Sequence, residues 1–200
     1  MTTDQVRAIT QDIGPCTLHG LESGEADNKT VLLLHGMKFN ADTWKDLGTL
    51  EQLAGAGYHA VALEMPGFGK SPACDLDQDT VLERYIVESG LEKPVVVGPS
   101  MGGRIALEFA IRHPELICGL VLIGAVGVEE NREHLADISV PTLILWGEKD
   151  QISSPENGDL LHGAITGSRK RIFAGSPHPC YLDKPADWHR ELLDFLPTCG

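Results

Sequence analysis

Short apolar runs bounded by Gly and Pro alternate along the chain with longer amphipathic stretches. The runs are Thr30 to His35, Tyr58 to Leu63, Pro94 to Gly98, Gly119 to Gly124, Pro141 to Trp146 and Arg169 to Phe173. Most are apolar throughout rather than alternating, the pattern of strands covered on both faces of a parallel sheet. Between them the pattern predicts helices over residues 43–56, 76–89, 101–113, 155–164 and 185–196. The last opens on Pro185, behind Asp183 and Lys184, and carries Trp188, Leu192, Leu193 and Phe195 as its apolar positions. Two further strands are expected within residues 4–20, as an antiparallel start to the sheet. Strand and helix in repeated alternation specify a doubly wound α/β sheet. No internal repeat, low-complexity tract or dividing linker interrupts it, so residues 1–200 are expected to form one domain.

Composition narrows the function classes. The 42% hydrophobic and 22% charged fractions suit a globular chain. With 29 acidic residues against 16 Lys and Arg, the net charge is −13, which gives a polyanion no general attraction. Nucleic acid is therefore not an expected ligand. The five cysteines (Cys16, Cys74, Cys118, Cys180 and Cys199) are scattered and odd in number. They contain no C-x-x-C pair, which argues against a disulfide framework and a zinc site. The start MTTDQVRAIT does not read as a signal peptide, and no apolar stretch approaches the ~20 residues of a membrane span. A reducing, cytosol-like compartment is expected, with no membrane contact.

Chemistry enters at Gly98-Pro99-Ser100-Met101-Gly102-Gly103, which follows the run Val95-Val96-Val97 and precedes a helical stretch. This is G-x-S-x-G in the strand–turn–helix setting it requires. Side chains two residues to either side of a serine on so sharp a turn would collide with it, and glycine removes them. The same turn puts the Met101 N–H at a helix N-terminus, where it can donate to an oxyanion. A phosphate-binding loop would instead need Lys and then Ser or Thr after the last glycine, and Arg104-Ile105 stand there. The second oxyanion donor is expected from the loop after the first long run, where Leu34-His35-Gly36-Met37 assigns it to the Met37 N–H. His35 itself reads as a loop histidine that bonds backbone and shapes the turn.

The acid of a catalytic triad should follow a later strand, and Asp150 lies just beyond Thr142 to Trp146. Glu148, Glu129 and Glu130 compete with it, and its structural alternative is to cap Ser153-Ser154-Pro155. Of eight histidines, only His162, His178 and His189 come after that acid. His162 and His189 fall inside predicted helices, whereas His178 directly follows the last strand. The order Ser100, Asp150, His178 then assigns nucleophile, acid and base. Lys38, Trp44, Arg104 and Cys180 lie near these motifs and read as surface or packing residues.

With these residues in place, the chain resembles the α/β-hydrolase superfamily over its full length. Within it the chain resembles the abhydrolase domain-containing protein 14 family, in its small soluble form. The likeness rests on Leu32-Leu33-Leu34-His35-Gly36, Thr43-Trp44, Leu47-Gly48-Thr49-Leu50, Ala54-Gly55-Ala56-Gly57-Tyr58 and Pro66-Gly67. It is densest at His178-Pro179-Cys180-Tyr181-Leu182-Asp183-Lys184-Pro185, followed by Trp188-His189 and Leu192 to Leu196. Pro177 stands where the family has glycine before the histidine, and Glu64 where Asp is more usual.

The resemblance implies an α/β-hydrolase fold with the triad on Ser100, Asp150 and His178. It also implies cleavage of short acyl esters, and acyl transfer from acylated lysine to coenzyme A as an acceptor. No other cofactor or metal is implied. Location is expected to be cytoplasmic or nuclear, and a protein partner is conceivable. Only residues 125–140 separate two strands between which many such hydrolases insert a lid. A capless mouth suits small or solvent-exposed acyl groups. Two other readings remain at this stage: a hydrolase scaffold kept as a protein-interaction module, and a triad enzyme acting on lactones or C–C bonds.

Overall fold

The computed structural model describes residues 5–200, so residue 4 of the expected first strand lies outside the described residues. In chain order the elements are β1 (Arg7–Ile13), β2 (Cys16–Ser23), β3 (Thr30–Leu33), α1 (Asp42–Asp46), α2 (Thr49–Gly55) and β4 (His59–Glu64). They continue with α3 (Gln78–Glu88), β5 (Val95–Pro99), α4 (Met101–Arg112), β6 (Gly119–Ile123) and β7 (Thr142–Gly147). The chain closes with α5 (Pro155–Ala164), β8 (Arg169–Phe173), α6 (Cys180–Asp183) and α7 (Pro185–Phe195).

All eight strands form one sheet in the order β1-β2-β4-β3-β5-β6-β7-β8. β1, β2 and β4 pair antiparallel, and every other neighbouring pair is parallel. The antiparallel start is thus an N-terminal hairpin added to a doubly wound sheet. Each strand from β3 to β7 feeds two cores, because successive side chains point to opposite faces, while the edge strand β8 adds only Phe173 to one of them. Leu32, Val96, Leu120 and Ile144 pack with Leu82, Ile105, Phe109 and Leu161 on one face. Val31, Leu33, Val95, Val97, Leu143 and Leu145 pack with Trp44, Leu53, Trp188 and Phe195 on the other. That two-sided burial is why these strands are apolar throughout.

The chain winds outward from β3, first to β4 on one side and then to β5 on the other. This reversal opens a crevice beyond the carboxyl ends of β3 and β5, the place where such sheets bind ligands. The connection from β6 to β7 holds a 3-10 helix, Glu129–Asp137, and no lid domain.

Two expectations are corrected. The single helix expected over residues 43–56 is two helices, because Gly48 between them adopts φ +76°, a left-handed conformation that breaks the helix. A disulfide, not expected from the cysteine pattern, joins Cys16 and Cys74, with Cα atoms 5.6 Å apart. Cys118, Cys180 and Cys199 are free. The disulfide ties the start of β2 to the segment before α3, 58 residues away in sequence. Closing a loop of that length stabilises the fold by about 4 kcal/mol on a chain-entropy account. No helix among the described residues is long and apolar enough to cross a membrane.

Candidate active site

Ser100 connects β5 to α4 with φ +52° and ψ −113°, a strained conformation for a non-glycine residue. Its surroundings explain the glycines. A Cβ on Gly98 would overlap the Gly102 carbonyl, one on Gly102 would lie 2.8 Å from the His35 carbonyl, and one on Gly103 would lie 2.7 Å from Ala125 Cβ. The turn is fixed by Ser100 N–H donating to the Ile123 carbonyl at 2.9 Å and by Ser100 C=O accepting from Arg104 N–H at 3.0 Å. Met101 is the first residue of α4, so its N–H has no acceptor within the helix.

Opposite it, the loop after β3 brings Gly36 against the serine, close enough that a Cβ on Gly36 would sit 3.8 Å from Ser100 Cβ. The Gly36 carbonyl accepts from Phe39 N–H at 3.0 Å and from His35 Nδ1–H at 2.9 Å. Because the peptide unit is planar and trans, fixing that carbonyl also fixes the Met37 N–H on its other side. His35 is buried, and its Nε2 accepts from Met65 N–H at 3.1 Å. Burial lowers its pKa, outweighing the opposing Gly36 hydrogen bond and Glu64 charge. A neutral ring donating from Nδ1 and accepting at Nε2 satisfies both contacts. The Met37 side chain is 67% exposed.

β7 delivers Asp150 through the turn Gly147-Glu148-Lys149. Its Oδ1 accepts from Ile152 N–H and Ser153 N–H, each at 2.9 Å, and its Oδ2 accepts from His178 Nδ1–H at 2.7 Å. The turn that supplies those N–H groups is itself held, by Ser153 Oγ donating to the Ala125 carbonyl at 2.7 Å and Trp146 Nε1–H to the Ser153 carbonyl at 2.8 Å. His178 lies in the loop after β8, which Lys149 N–H grips through the Ser176 carbonyl at 2.9 Å. With Nδ1 committed to Asp150, the buried Nε2 has no partner among the described residues and presents a lone pair.

One residue escaped the sequence reading. Gly124, just past β6, has φ +52°, and a Cβ there would come within 3.0 Å of Asp150 Oδ2 and 3.2 Å of His178 Nδ1. The missing side chain makes room for the Asp150–His178 contact. Its signal was a glycine ending an otherwise apolar strand run.

The competing groups lie elsewhere. Glu148 accepts from Gly175 N–H at 2.7 Å, and Glu129 pairs with Arg132 at 3.3 Å on the exposed 3-10 helix. His162 faces Ser168 Oγ at 2.9 Å, and His189 faces Thr49 Oγ1 at 3.0 Å. Trp44 is buried and donates from Nε1 to the Leu34 carbonyl at 2.9 Å, while Arg104 pairs with Glu108 at 2.8 Å. Burial, then the Asp150 charge, pushes the Cys180 thiol up to about 12, so it is no thiolate nucleophile. A cavity of about 1350 Å³ lies at Glu22, Lys29, His59, Tyr85 and Cys118; neither Ser100, Asp150 nor His178 lines it. No group of three or more His, Cys, Asp or Glu among the described residues is arranged to hold a metal ion.

The model of the alpha/beta hydrolase fold family matches residues 29–136. Rat ABHD14B is 37% identical over 182 residues, covering 87% of this chain and 86% of that protein. The chain belongs to the α/β-hydrolase family and, within it, to the ABHD14 proteins. Zebrafish ABHD14A is 40% identical over 173 residues; the match takes in 83% of this chain and 63% of that longer protein. Among solved structures, a protein from Thermoplasma acidophilum described as a CIB-like hydrolase superposes with a TM-score of 0.91 at 25% identity. The match covers 96% of this chain and 98% of that one. An esterase from Exiguobacterium antarcticum superposes with a TM-score of 0.81 at 20% identity, covering 92% and 96%, which is a likeness of fold alone. The α/β-hydrolase family membership and the capless architecture expected from the sequence are both found.

Proposed function

We propose that this hydrolase transfers short acyl groups through a serine nucleophile. The observation that carries the proposal is the Asp150–His178 contact at 2.7 Å, which leaves His178 Nε2 buried and unpartnered on a chain whose elbow presents Ser100. His178 Nε2 takes the Ser100 Oγ proton as oxygen attacks the acyl carbon. Asp150 holds the imidazole in the Nδ1–H tautomer and stabilises the imidazolium that follows. The N–H groups of Met37 and Met101 receive the tetrahedral oxyanion, each worth ~10²–10³ in rate by analogy with other oxyanion holes. His178 then returns its proton to the leaving group, and an acyl-Ser100 remains.

The acceptor that resolves this intermediate is water or a thiol such as coenzyme A. Without a lid, little of a long acyl chain can be buried, so acetyl-sized groups on exposed donors suit the site best. Rat ABHD14B carries a provisional name as a protein-lysine deacylase, which supports acylated lysine as a donor class for this chain too. The test is acyl release from p-nitrophenyl acetate, butyrate and octanoate and from an acetyl-lysine peptide, with and without coenzyme A. Wild type should prefer acetyl groups, and Ser100→Ala should lose turnover on all of them. Unchanged turnover in Ser100→Ala would remove the serine from the mechanism.

A further inference from the structure

We propose that the Cys16–Cys74 disulfide is a reversible redox site that sets the geometry of the oxyanion loop through the segment joining β4 to α3. The mechanical coupling rests on contacts alone, while its catalytic consequence rests on the serine-hydrolase reading above.

Residues 65–77 form a strap between two anchors. On one side the strap is bound to β2 by the disulfide and by His19 N–H donating to Ser71 Oγ at 2.9 Å. Ser71 Oγ–H in turn donates to the Glu64 carbonyl at 2.6 Å, closing the strap on the end of β4. On the other side Met65 N–H donates to His35 Nε2 at 3.1 Å, and the Phe68 ring packs against the His35 ring with centroids 4.9 Å apart. His35 Nδ1–H holds the Gly36 carbonyl at 2.9 Å, and that carbonyl shares its peptide plane with the Met37 N–H. A loosened strap therefore releases the ring that orients an oxyanion donor.

The two sulfurs differ in access. Cys16 is buried in the core, whereas Cys74 is only partly buried. A thiolate of a small dithiol attacks Cys74 Sγ, the S–S bond breaks, and Cys16 leaves as a thiolate that takes a proton. The second thiol of the reagent resolves the mixed disulfide and frees Cys74. Two electrons and two protons pass from the dithiol to the two cysteines, and a low-molecular-weight disulfide reverses the exchange. A free Cys16 remains compatible with its site, because a buried thiol packs as a small apolar group.

The full chain would be prepared oxidised with glutathione disulfide and reduced with dithiothreitol. Thiols are mapped by maleimide tagging, hydrogen exchange is followed by mass spectrometry, and p-nitrophenyl acetate kinetics are measured. Reduction should free Cys16 and Cys74 and speed exchange in residues 65–77 and 34–38. It should also lower kcat by roughly three- to tenfold with KM little changed, a fraction of what one oxyanion donor supplies. Cys74→Ser should show the reduced behaviour under both conditions. A disulfide that resists dithiothreitol in the native protein, or exchange that rises only in residues 65–77 with kcat constant, would overturn the proposal. Absent ester turnover in both states, with the exchange difference at 34–38 preserved, would sink the hydrolase reading and leave the coupling supported.

Discussion

Gly124 shows how a site can depend on an atom that is not there. It contributes no functional group, yet a Cβ would reach within 3.0 Å of the Asp150 carboxylate, and its φ of +52° disfavours any side chain. Gly124→Val should wedge Asp150 and His178 apart and, on the proposed mechanism, lower kcat by about 10²-fold, since misplacement by ~1 Å costs that order. Steady-state kinetics beside a circular dichroism check of folding would measure it; an unchanged kcat would mean that the pair does not need this room. Asp150 and His178 were legible in the sequence as candidates that follow strands in a fixed order. The sequence could not show that 28 residues of separation close to 2.7 Å, nor that a glycine just past a third strand holds that space open. The buried His35 and the half-buried His189 make stability depend on pH. Burial lowers the pKa of His35 and His189 below the ordinary value of 6.5, so between the folded and unfolded pKa values the unfolded chain binds more protons. Stability is therefore full above about pH 6.5 and falls as the pH drops through that window. Tm should decline on acidification from neutral pH, and His189→Gln should flatten part of the decline.

The six runs are the six strands from β3 to β8: β3 to β7 are buried on both faces, which leaves few polar positions to blur the pattern, whereas the edge strand β8 keeps Arg169, Lys170 and Arg171 and buries only Phe173. Where the sequence misled, a local event overrode periodicity. The helical spacing from Thr43 to Ala56 continues through Gly48, but a left-handed glycine turns α2 away from α1. The Cys16–Cys74 pair was hidden for a different reason: five cysteines without regular spacing say nothing about which two a hairpin and a loop will bring together. The second core depends on one cluster, in which the Trp44 ring centroid lies 5.8 Å from Trp188 and 5.2 Å from Tyr181. Trp188→Ala should cost about 3–5 kcal/mol, the usual range for emptying a large aromatic site. Urea unfolding would read it, and a loss below 1 kcal/mol would show that α7 packs independently of the ring.

The whole molecule adds charge and shape. A net charge of −13 sets up a repulsive field for anionic ligands, and coenzyme A is one. If its thiol resolves the acyl-enzyme, KM for coenzyme A should fall several-fold as salt rises from about 10 mM to about 0.15 M, where the Debye length shrinks from ~30 to ~8 Å. A neutral ester should show no such dependence, and a coenzyme A response that weakens with salt would point to a local basic site instead. Charge and the short residue 125–140 connection were readable from the sequence alone. How the loops after β3, β5, β7 and β8 pack beside one another was not, because that depends on contacts between residues far apart in the chain. The mechanism turns on acylation of Ser100. The most direct measurement is intact and peptide mass spectrometry of protein quenched after mixing with p-nitrophenyl acetate. One acetyl group on the peptide carrying Ser100, absent in Ser100→Ala, is the expected result. Acetate release with no label at Ser100, continuing unchanged in Ser100→Ala, would contradict it.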